Sequence, residues 1–405
     1  MDHRASRTGL FILGLCFVLS LLGRGLGESF TVFLLPISAS FGWDRAEVVS
    51  IYSLTALCTG LASPLVGRLF DRSGPRAVYT LGLVLLGGAL LIAAHAERLW
   101  QLQITVGLCI GLGIAFTGNV PNSILLGRWF GSRLPTAMAV VYSAIGAGVL
   151  VMLPIAQVLI ERFGWREAYL ILGCAMLILL VPLSLLPWRR FAAGAAPHAQ
   201  QPAQDAADDG WTLKSAMRHH AFWALFATFF FTAIGMYSIS AQVVAYLVDA
   251  GFTPLQAATA WGFSGVVLVI GMLGVSWLDG VIGRRPSILF SYAISITGLV
   301  LLWLLQWYPN LVLLGGFVIC FGSMIGSRGP LITATAMSIF RGRRVGTIYG
   351  TISIGSGLGS AFGSWCGGLL HDLTQSYNPV LGFALISVVV GMIPFLVVPA
   401  LRERQ

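Results

Sequence analysis

Three charged side chains, Arg24, Glu28 and Arg328, lie inside long apolar stretches of the sequence. A charged group in the core of a bilayer costs about 2.5–3.5 kcal/mol on insertion scales, so each of them needs a partner or a function. Arg24 and Glu28 are four residues apart, and on a helix they share a face and can form an ion pair. Once this pair forms, no other acidic residue in the core of an apolar stretch is left to pair with Arg328.

A guanidinium without a fixed counter-ion is suited to a carboxylate, which it binds through two parallel hydrogen bonds. The sequence therefore predicts that Arg328 binds the negative charge of a small molecule. The balance of two arginines and one glutamate favours a monoanion. The alternative is a structural arginine that extends to the membrane surface, caps helix carbonyls or reaches Glu28.

Glu28 is the sole carboxylate in the core of an apolar stretch, since the other acidic residues lie in polar regions or at the ends of the stretches. If its pair with Arg24 opens, the carboxylate can take up a proton, which is the minimum needed to couple transport to a proton gradient. We therefore predict that Glu28 and Arg24 couple protons. The alternative is a purely structural ion pair.

The composition is typical of a membrane protein. Of the 405 residues, 57% are hydrophobic and 10% are charged, whereas soluble domains contain about 25% charged residues. The six cysteines fall singly in separate apolar stretches, so neither a disulfide framework nor a metal site is predicted. The sequence also contains no GxxxxGK[ST] motif and no nucleophile–base arrangement. We therefore expect no cofactor and no enzymatic activity.

A membrane-spanning helix needs about 20 apolar residues, and twelve stretches meet this requirement. They are called segments 1 to 12 and cover residues 10–36, 47–67, 77–96, 100–126, 135–160, 166–187, 220–247, 255–278, 287–306, 309–335, 345–370 and 379–400. Segment 1 is too long for a signal peptide and is expected to be retained. Residues 191–210 are polar and rich in Ala, Pro and Gln, which is typical of a flexible linker. The predicted domains are therefore 1–187 and 219–405, joined by a cytoplasmic linker at 188–218.

The positions of the basic residues predict the orientation. Of the 24 lysines and arginines, 18 lie on the side of the membrane that carries the N-terminus, four on the other side, and two inside segments. By the positive-inside rule, both termini are expected in the cytoplasm of a bacterial cell, with the chain in the inner membrane. The same distribution explains the net charge of +9 without a nucleic-acid partner.

The two sets of six segments repeat each other at an offset of 208–209 residues. Asp71 aligns with Asp279, and Pro121 aligns with Pro330. The motif at 145–148 aligns with the one at 354–357. Segment 11 also carries glycines at every fourth position, which predicts either static helix packing or a sliding contact between the halves.

The loop after segment 2 reads GRLFDRSGPR at 67–76, and it resembles the G-x-L-x-D-R-x-G-R-[RK] signature of the major facilitator superfamily, with Pro75 in place of the first basic residue. The resemblance implies two pseudo-symmetric bundles of six transmembrane helices, with the substrate bound between them at the membrane midplane. It also implies a conformational latch at this loop and at its weaker repeat. The latch residues are Gly67, Asp71, Arg72, Gly74, Arg76, Asp279, Arg284 and Arg285.

Several longer motifs resemble one branch of that superfamily, which contains the monocarboxylate transporters and the oxalate–formate antiporters. These motifs are at 41–54, 62–78, 125–148, 161–173, 346–363 and 367–383. The branch implies small carboxylates as substrates, often moved with protons. Segment 8 lacks the Asp/Arg pair of the eukaryotic carriers, and segments 8 and 11 lack the basic residues of the oxalate type. The substrates of those relatives therefore do not carry over.

Polar residues on segments 4, 5, 7, 10 and 11 are candidates to complete the substrate site, because the superfamily lines its cavity with these segments and segment 1. Each of them taken alone fits helix packing or a helix–helix hydrogen bond better, and it is their shared location that makes the set a candidate site. Besides Arg328, the candidates are Asn119, Asn122, Tyr142, Tyr237, Gln242 and Tyr349.

These observations together predict a monomeric secondary transporter in the lipid bilayer. It would carry a small organic monoanion by alternating access, with a coupled proton. The alternatives are an exporter of drug-like or neutral metabolites and a non-transporting membrane sensor or assembly factor. A sensor usually carries an added soluble domain, and the longest polar stretch here is the predicted linker.

Overall fold

The computed structural model describes residues 3–130, 134–194, 211–340, 345–398 and 401, and these residues form helices joined by short turns. The chain divides into two compact units, Met1–Gln200 and Gln201–Gln405. This division falls within the predicted linker, of which residues 195–210 lie outside the described part. The domain limits stay a prediction.

The first unit contains segments 1 to 6. Segment 1 is the helix His3–Phe41. Segments 2 and 3 form the long helix Arg45–Ala93, which breaks at Gly74, where φ is 77° and ψ is 176°. Segment 4 extends over Leu99–Phe130 and includes a π-helical turn at Gln103–Ile110. Segments 5 and 6 are Leu134–Phe163 and Trp165–Leu185, and a short helix, Trp188–Ala193, follows them.

The second unit contains segments 7 to 12. A short helix, Leu213–Met217, precedes segment 7, which comprises His220–Ser240 and Val243–Asp249. Segments 8 and 9 are Pro254–Ile282 and Arg284–Leu304. Segment 10 is broken into Leu311–Gly322 and Gly329–Ile339. Segments 11 and 12 are Val345–Thr374 and Asn378–Val397.

Local sequence signals explain where several of these helices begin. The Thr253 side chain accepts a hydrogen bond from the Gln256 amide, and Pro254 occupies the first helical position of segment 8. The Asn310 side chain likewise accepts from the Leu313 amide at the start of segment 10, at 2.8 Å. Both contacts satisfy backbone donors that a helix leaves unpaired at its N-terminus.

The surface of the helices is apolar, as a bilayer requires. Nine helices of the described part are long and apolar enough to cross a membrane, and Leu311–Gly322 is a shorter apolar helix. Large apolar side chains such as Leu185 and Val312 are 79% and 84% exposed. Each of the twelve predicted segments coincides with a helical region, and no β-strand occurs in the described ranges. The all-α fold class is confirmed.

The two units share details that the sequence repeat predicts. Gly42 and Gly251 both have a positive φ, and so do Gly74 and Gly283, each pair at an offset of 209 residues. A residue with a Cβ is strained in this conformation, so glycine is favoured at these turns. Segments 4 and 10 each contain a π-helical turn. The repeat therefore extends to backbone conformation.

The glycines of segment 11 pack against segment 7 within the second unit. A Cβ built at Gly363 would lie 2.6 Å from Cα of Ile234. The other members of the series approach segment 7 in the same way, and they are Gly355, Gly359 and Gly367. This contact is helix packing within one unit, which is the first of the two alternatives for these glycines.

Candidate functional site

Glu28 lies in a hydrogen-bonded network of the first unit. Arg24 Nη2 donates to Glu28 Oε1 at 3.2 Å, so the predicted ion pair is present. Tyr52, which is buried on segment 2, donates its hydroxyl to Glu28 Oε2 at 2.7 Å. The Glu28 side chain is 16% exposed. Both carboxylate oxygens are therefore held, one by a charged donor and one by a neutral donor.

Arg328 lies at the start of the second half of segment 10, just before the helix Gly329–Ile339, and is 2% exposed. Its side chain reaches segment 9. Nε donates to Ser291 Oγ at 2.9 Å, and Nη2 donates to the Ser291 carbonyl at 2.7 Å and to Ser295 Oγ. Nη1 is buried without a hydrogen-bond partner among the described residues.

The guanidinium of Arg328 also lies over an aromatic ring. Its Cζ is 4.0 Å from the ring centroid of Tyr292, a geometry in which the π-electrons attract a cation. The Tyr292 hydroxyl donates to the Gly391 carbonyl at 2.9 Å and bonds Thr232 at 2.6 Å. Segments 7, 9, 10 and 12 thus meet at one polar cluster around Arg328. In the part of the chain that the structure describes, no carboxylate pairs with Arg328.

The other predicted site residues of the first unit differ in their surroundings. Asn122 is fully buried, where it accepts from the Tyr79 hydroxyl and donates to Ser20 Oγ, both at 2.7 Å. Its amide therefore joins segments 1, 3 and 4. Asn119 is exposed, and Tyr142 is 38% exposed. Of these three, Asn119 and Tyr142 are accessible.

In the second unit, Gln242 is 1% exposed and donates Nε2 to the Ser238 carbonyl at 3.2 Å. Its Oε1 has no hydrogen-bond partner among the described residues. Tyr349 is half-buried, and its hydroxyl accepts from Thr333 Oγ1 at 2.7 Å, which ties segment 11 to segment 10. Tyr237 is half-buried on segment 7.

The residues predicted to form the latch are described in part. In the second unit, Arg284 Nε lies 3.7 Å from Asp279 Oδ1, across the turn at Gly283. In the first unit, Gly74 makes the equivalent turn, and the flanking Arg72 and Arg76 are exposed. Gly67 faces Val120, and Arg285 is half-buried. The side chain of Asp71 lies outside the described residues.

Among the described residues, no group of three or more His, Cys, Asp or Glu side chains could hold a metal ion. The six cysteines are free.

A sequence model of the Major Facilitator Superfamily matches residues 13–364. The chain belongs to this superfamily. It is therefore a multi-pass membrane protein of a transporter family, and the fold is the major facilitator fold.

Individual proteins match this major facilitator chain over most of its length. It is 26% identical to the uncharacterized MFS-type transporter YcxA of Bacillus subtilis (strain 168). The alignment is 398 residues long and covers 95% of both chains. It is 27% identical to monocarboxylate transporter 3 of Rattus norvegicus. The alignment is 396 residues long and covers 95% of this chain and 78% of the relative. It is 26% identical to monocarboxylate transporter 12 of Homo sapiens. This alignment is 403 residues long and covers 93% of this chain and 75% of the relative.

Sequence reasoning in this transporter missed the tyrosine that bonds Glu28 and the serines that bond Arg328. Tyr52 carries no pattern that points to segment 1. The partners of Arg328 do carry one, because Ser287, Ser291 and Ser295 are spaced by four residues and all are fully buried. Such spacing places three hydroxyls on one helix face, and in a membrane helix this is a signal for a polar partner on a neighbouring helix.

Proposed function

We propose that this transporter carries a small organic monoanion, with a coupled proton, by alternating access. The observation that carries the proposal is the environment of Arg328. Its guanidinium is 2% exposed, and among the described residues it has no carboxylate partner and one Nη1 without an acceptor. A buried cation without a counter-ion is costly, and an anionic substrate would supply the missing charge.

We infer a binding mode for the anion from the contacts of Arg328. Because Nε and Nη2 are engaged by Ser291 and Ser295, the free donor is Nη1. A carboxylate would first accept from Nη1, and it would reach the two-pronged geometry only by displacing a serine. The further contacts that we propose are with Asn119, Asn122, Tyr142, Tyr237, Gln242 and Tyr349.

For the proton, we propose Glu28 as carrier and Arg24 as its counter-ion. The carboxylate is half-buried, it is linked to segment 2 through Tyr52, and its ion pair is long at 3.2 Å. Protonation would release Arg24 and weaken the hydrogen bond from Tyr52, so it would change the contact between segments 1 and 2. This change is the physical basis that we propose for coupling.

The decisive experiment is uptake of a panel of monocarboxylates and uncharged metabolites into proteoliposomes, with and without an inward proton gradient. We expect Arg328→Gln to lower affinity for the transported carboxylate about ten- to a hundred-fold, since a hydrogen bond to a charged group contributes about 1.5–3 kcal/mol. Arg68→Gln, which removes an exposed arginine, is the matched control. Near wild-type affinity of a folded Arg328→Gln variant would refute the anion site.

A second candidate function is the export of neutral or drug-like metabolites. It is favoured by the same cluster, because three of the donors of Arg328 are already satisfied by segment 9. An arginine held in this way is also suited to a structural role. If the protein transports uncharged compounds and no carboxylate, the result would support this alternative over carboxylate transport.

We further propose that both termini lie in the cytoplasm, that the chain resides as a monomer in the bacterial inner membrane, and that 188–218 link the two domains. Single cysteines at Arg98 and Gln204, in a cysteine-free background, test the orientation. An impermeant maleimide should label the first in intact spheroplasts and not the second.

A further inference from the structure

A groove of about 600 Å³ lies in the first unit, between the loop after segment 2 and the chain that follows segment 6. One wall consists of Ser73, Gly74, Pro75 and Arg76. The opposite wall comprises Leu186 to Arg190 and Ala192. Neither the ion pair at Glu28 nor the cluster at Arg328 includes any of these residues.

Three arginines, Arg76, Arg189 and Arg190, line the groove, and all are exposed. Its described lining contains no acidic residue. Within the described part of the chain, none of the three guanidiniums makes a hydrogen bond or an ion pair with another residue. This differs from the nearby Arg128, whose Nη1 donates to the Ala192 carbonyl at 2.9 Å. Three exposed guanidiniums without a protein acceptor around one groove are suited to a phosphate group, since each can donate to its oxygens.

The wall that carries Arg189 and Arg190 is firmly held. Trp188 is buried and donates Nε1 to the Leu183 carbonyl at 2.8 Å, and its ring lies 5.7 Å from that of Tyr79. Trp129 donates Nε1 to the Phe191 carbonyl at 2.9 Å. The two arginines therefore project from a fixed backbone, which lowers the entropy lost when an anion binds.

An apolar stripe on the surface of segment 6 ends at this groove. Ile178, Val181 and Leu185 are 66%, 63% and 79% exposed, and their spacing places them on neighbouring positions of the helix surface. Leu186, the next residue, lines the groove itself. An apolar helix surface that ends at a basic groove matches a molecule with acyl chains and a phosphate headgroup.

We propose that this groove is a binding site for the phosphate headgroup of an anionic membrane phospholipid. The headgroup lies between Arg76 and the pair Arg189–Arg190, and its acyl chains lie along segment 6. The lipid then bridges the loop after segment 2 and the helix Trp188–Ala193. This site is independent of the substrate, and it shares Gly74 and Arg76 with the loop that is proposed to act as the latch.

The test compares wild-type protein, the double variant Arg189→Gln/Arg190→Gln, and a control double variant, Arg68→Gln/Arg218→Gln. The control removes two exposed arginines outside the groove. Each full-length protein is delipidated in detergent and titrated with phosphatidylglycerol, with phosphatidylcholine, or with glycerol phosphate as the free anion. Binding is measured by native mass spectrometry, and folding is checked by size-exclusion chromatography.

We expect phosphatidylglycerol to bind the wild type and the control double variant equally, and the groove variant about thirty-fold more weakly, since each basic residue near an anionic headgroup contributes to binding. Equal losses in both double variants would mean general surface charge and would overturn the site. No loss in the groove variant would overturn it as well. Glycerol phosphate binding as tightly as the lipid would assign the groove to a free phosphate and would refute the proposal of a lipid site.

A groove variant that fails to fold is replaced by Arg189→Lys/Arg190→Lys, which keeps the charge and should keep most of the binding.

Discussion

The hydroxyl of Tyr52 donates a 2.7 Å hydrogen bond to Oε2 of Glu28, while Arg24 donates to Oε1 of the same carboxylate. Segment 2 is thereby linked to the acidic residue that segment 1 carries in the membrane. An acid held by one cation and one neutral donor can change partners when it gains a proton, because a protonated carboxyl no longer accepts at both oxygens in the same way.

Tyr52→Phe removes this donor and leaves the ring in place. We expect proton-driven uptake to fall about ten-fold, since a hydrogen bond to a charged group contributes at least about 1.4 kcal/mol. Counterflow exchange without a gradient should fall less than three-fold, by our estimate of about 0.6 kcal/mol for the packing change alone. Tyr308→Phe, at a residue that is 66% exposed, is the control. Equal losses in both assays would argue against a role in coupling.

The serines that hold Arg328 should matter for stability. In the double variant Ser291→Ala/Ser295→Ala the guanidinium loses two hydroxyl acceptors, and a buried charge is left with fewer partners. We expect a loss of about 3 kcal/mol in the free energy of unfolding, visible as a lower midpoint in a thermal unfolding assay in detergent. Ser276→Ala, at an exposed serine of segment 8, should change the midpoint little. An unchanged midpoint in the double variant would show that Arg328 does not depend on segment 9.

The loop after segment 2 is proposed to act as a latch. Asp71→Asn should slow transport about ten-fold and leave the substrate Kd within about three-fold, because the change affects the exchange between states and not the bound state. Asp279→Asn, which removes the acidic partner of Arg284 at 3.7 Å, should give a smaller effect in the same direction. A large loss of equilibrium affinity with normal folding would contradict the latch.

Much of the fold was predictable because a bilayer imposes simple rules on composition and length. The twelve segments, the all-α class and the Arg24–Glu28 pair follow from apolar length and from the spacing of two charges on one helix. Spacing can indicate that a helix face needs a polar partner, as for the serines of segment 9, but it says nothing about which helix supplies that partner. For this reason Tyr52 and Ser291 appeared only in the structure.

The burial of Asn122 shows a second limit of prediction from the sequence. Its type and its segment made it a candidate for substrate binding, yet it is fully buried and bonds Tyr79 and Ser20. A polar residue of a membrane helix can form its hydrogen bonds within the protein or with a ligand. Helix packing and ligand binding therefore use the same types of side chain. The sequence pattern alone does not separate these two cases.

The contact between segments 7 and 11 gives the most direct test of the packing. A Cβ at Gly363 would lie 2.6 Å from both Cα and the carbonyl oxygen of Ile234, which are backbone atoms that cannot rotate away. Gly363→Ala should therefore push the two helices apart and lower the free energy of unfolding by about 1–3 kcal/mol. Gly357→Ala, on the same helix, meets nothing within 4 Å and removes a flexible glycine, so it should be neutral or stabilising by up to about 1 kcal/mol. Thermal unfolding of the two variants beside the wild type measures the difference. If both substitutions raise the midpoint equally, the gain in helix propensity outweighs any close backbone contact at Gly363. In that case segments 7 and 11 are further apart than the structure places them.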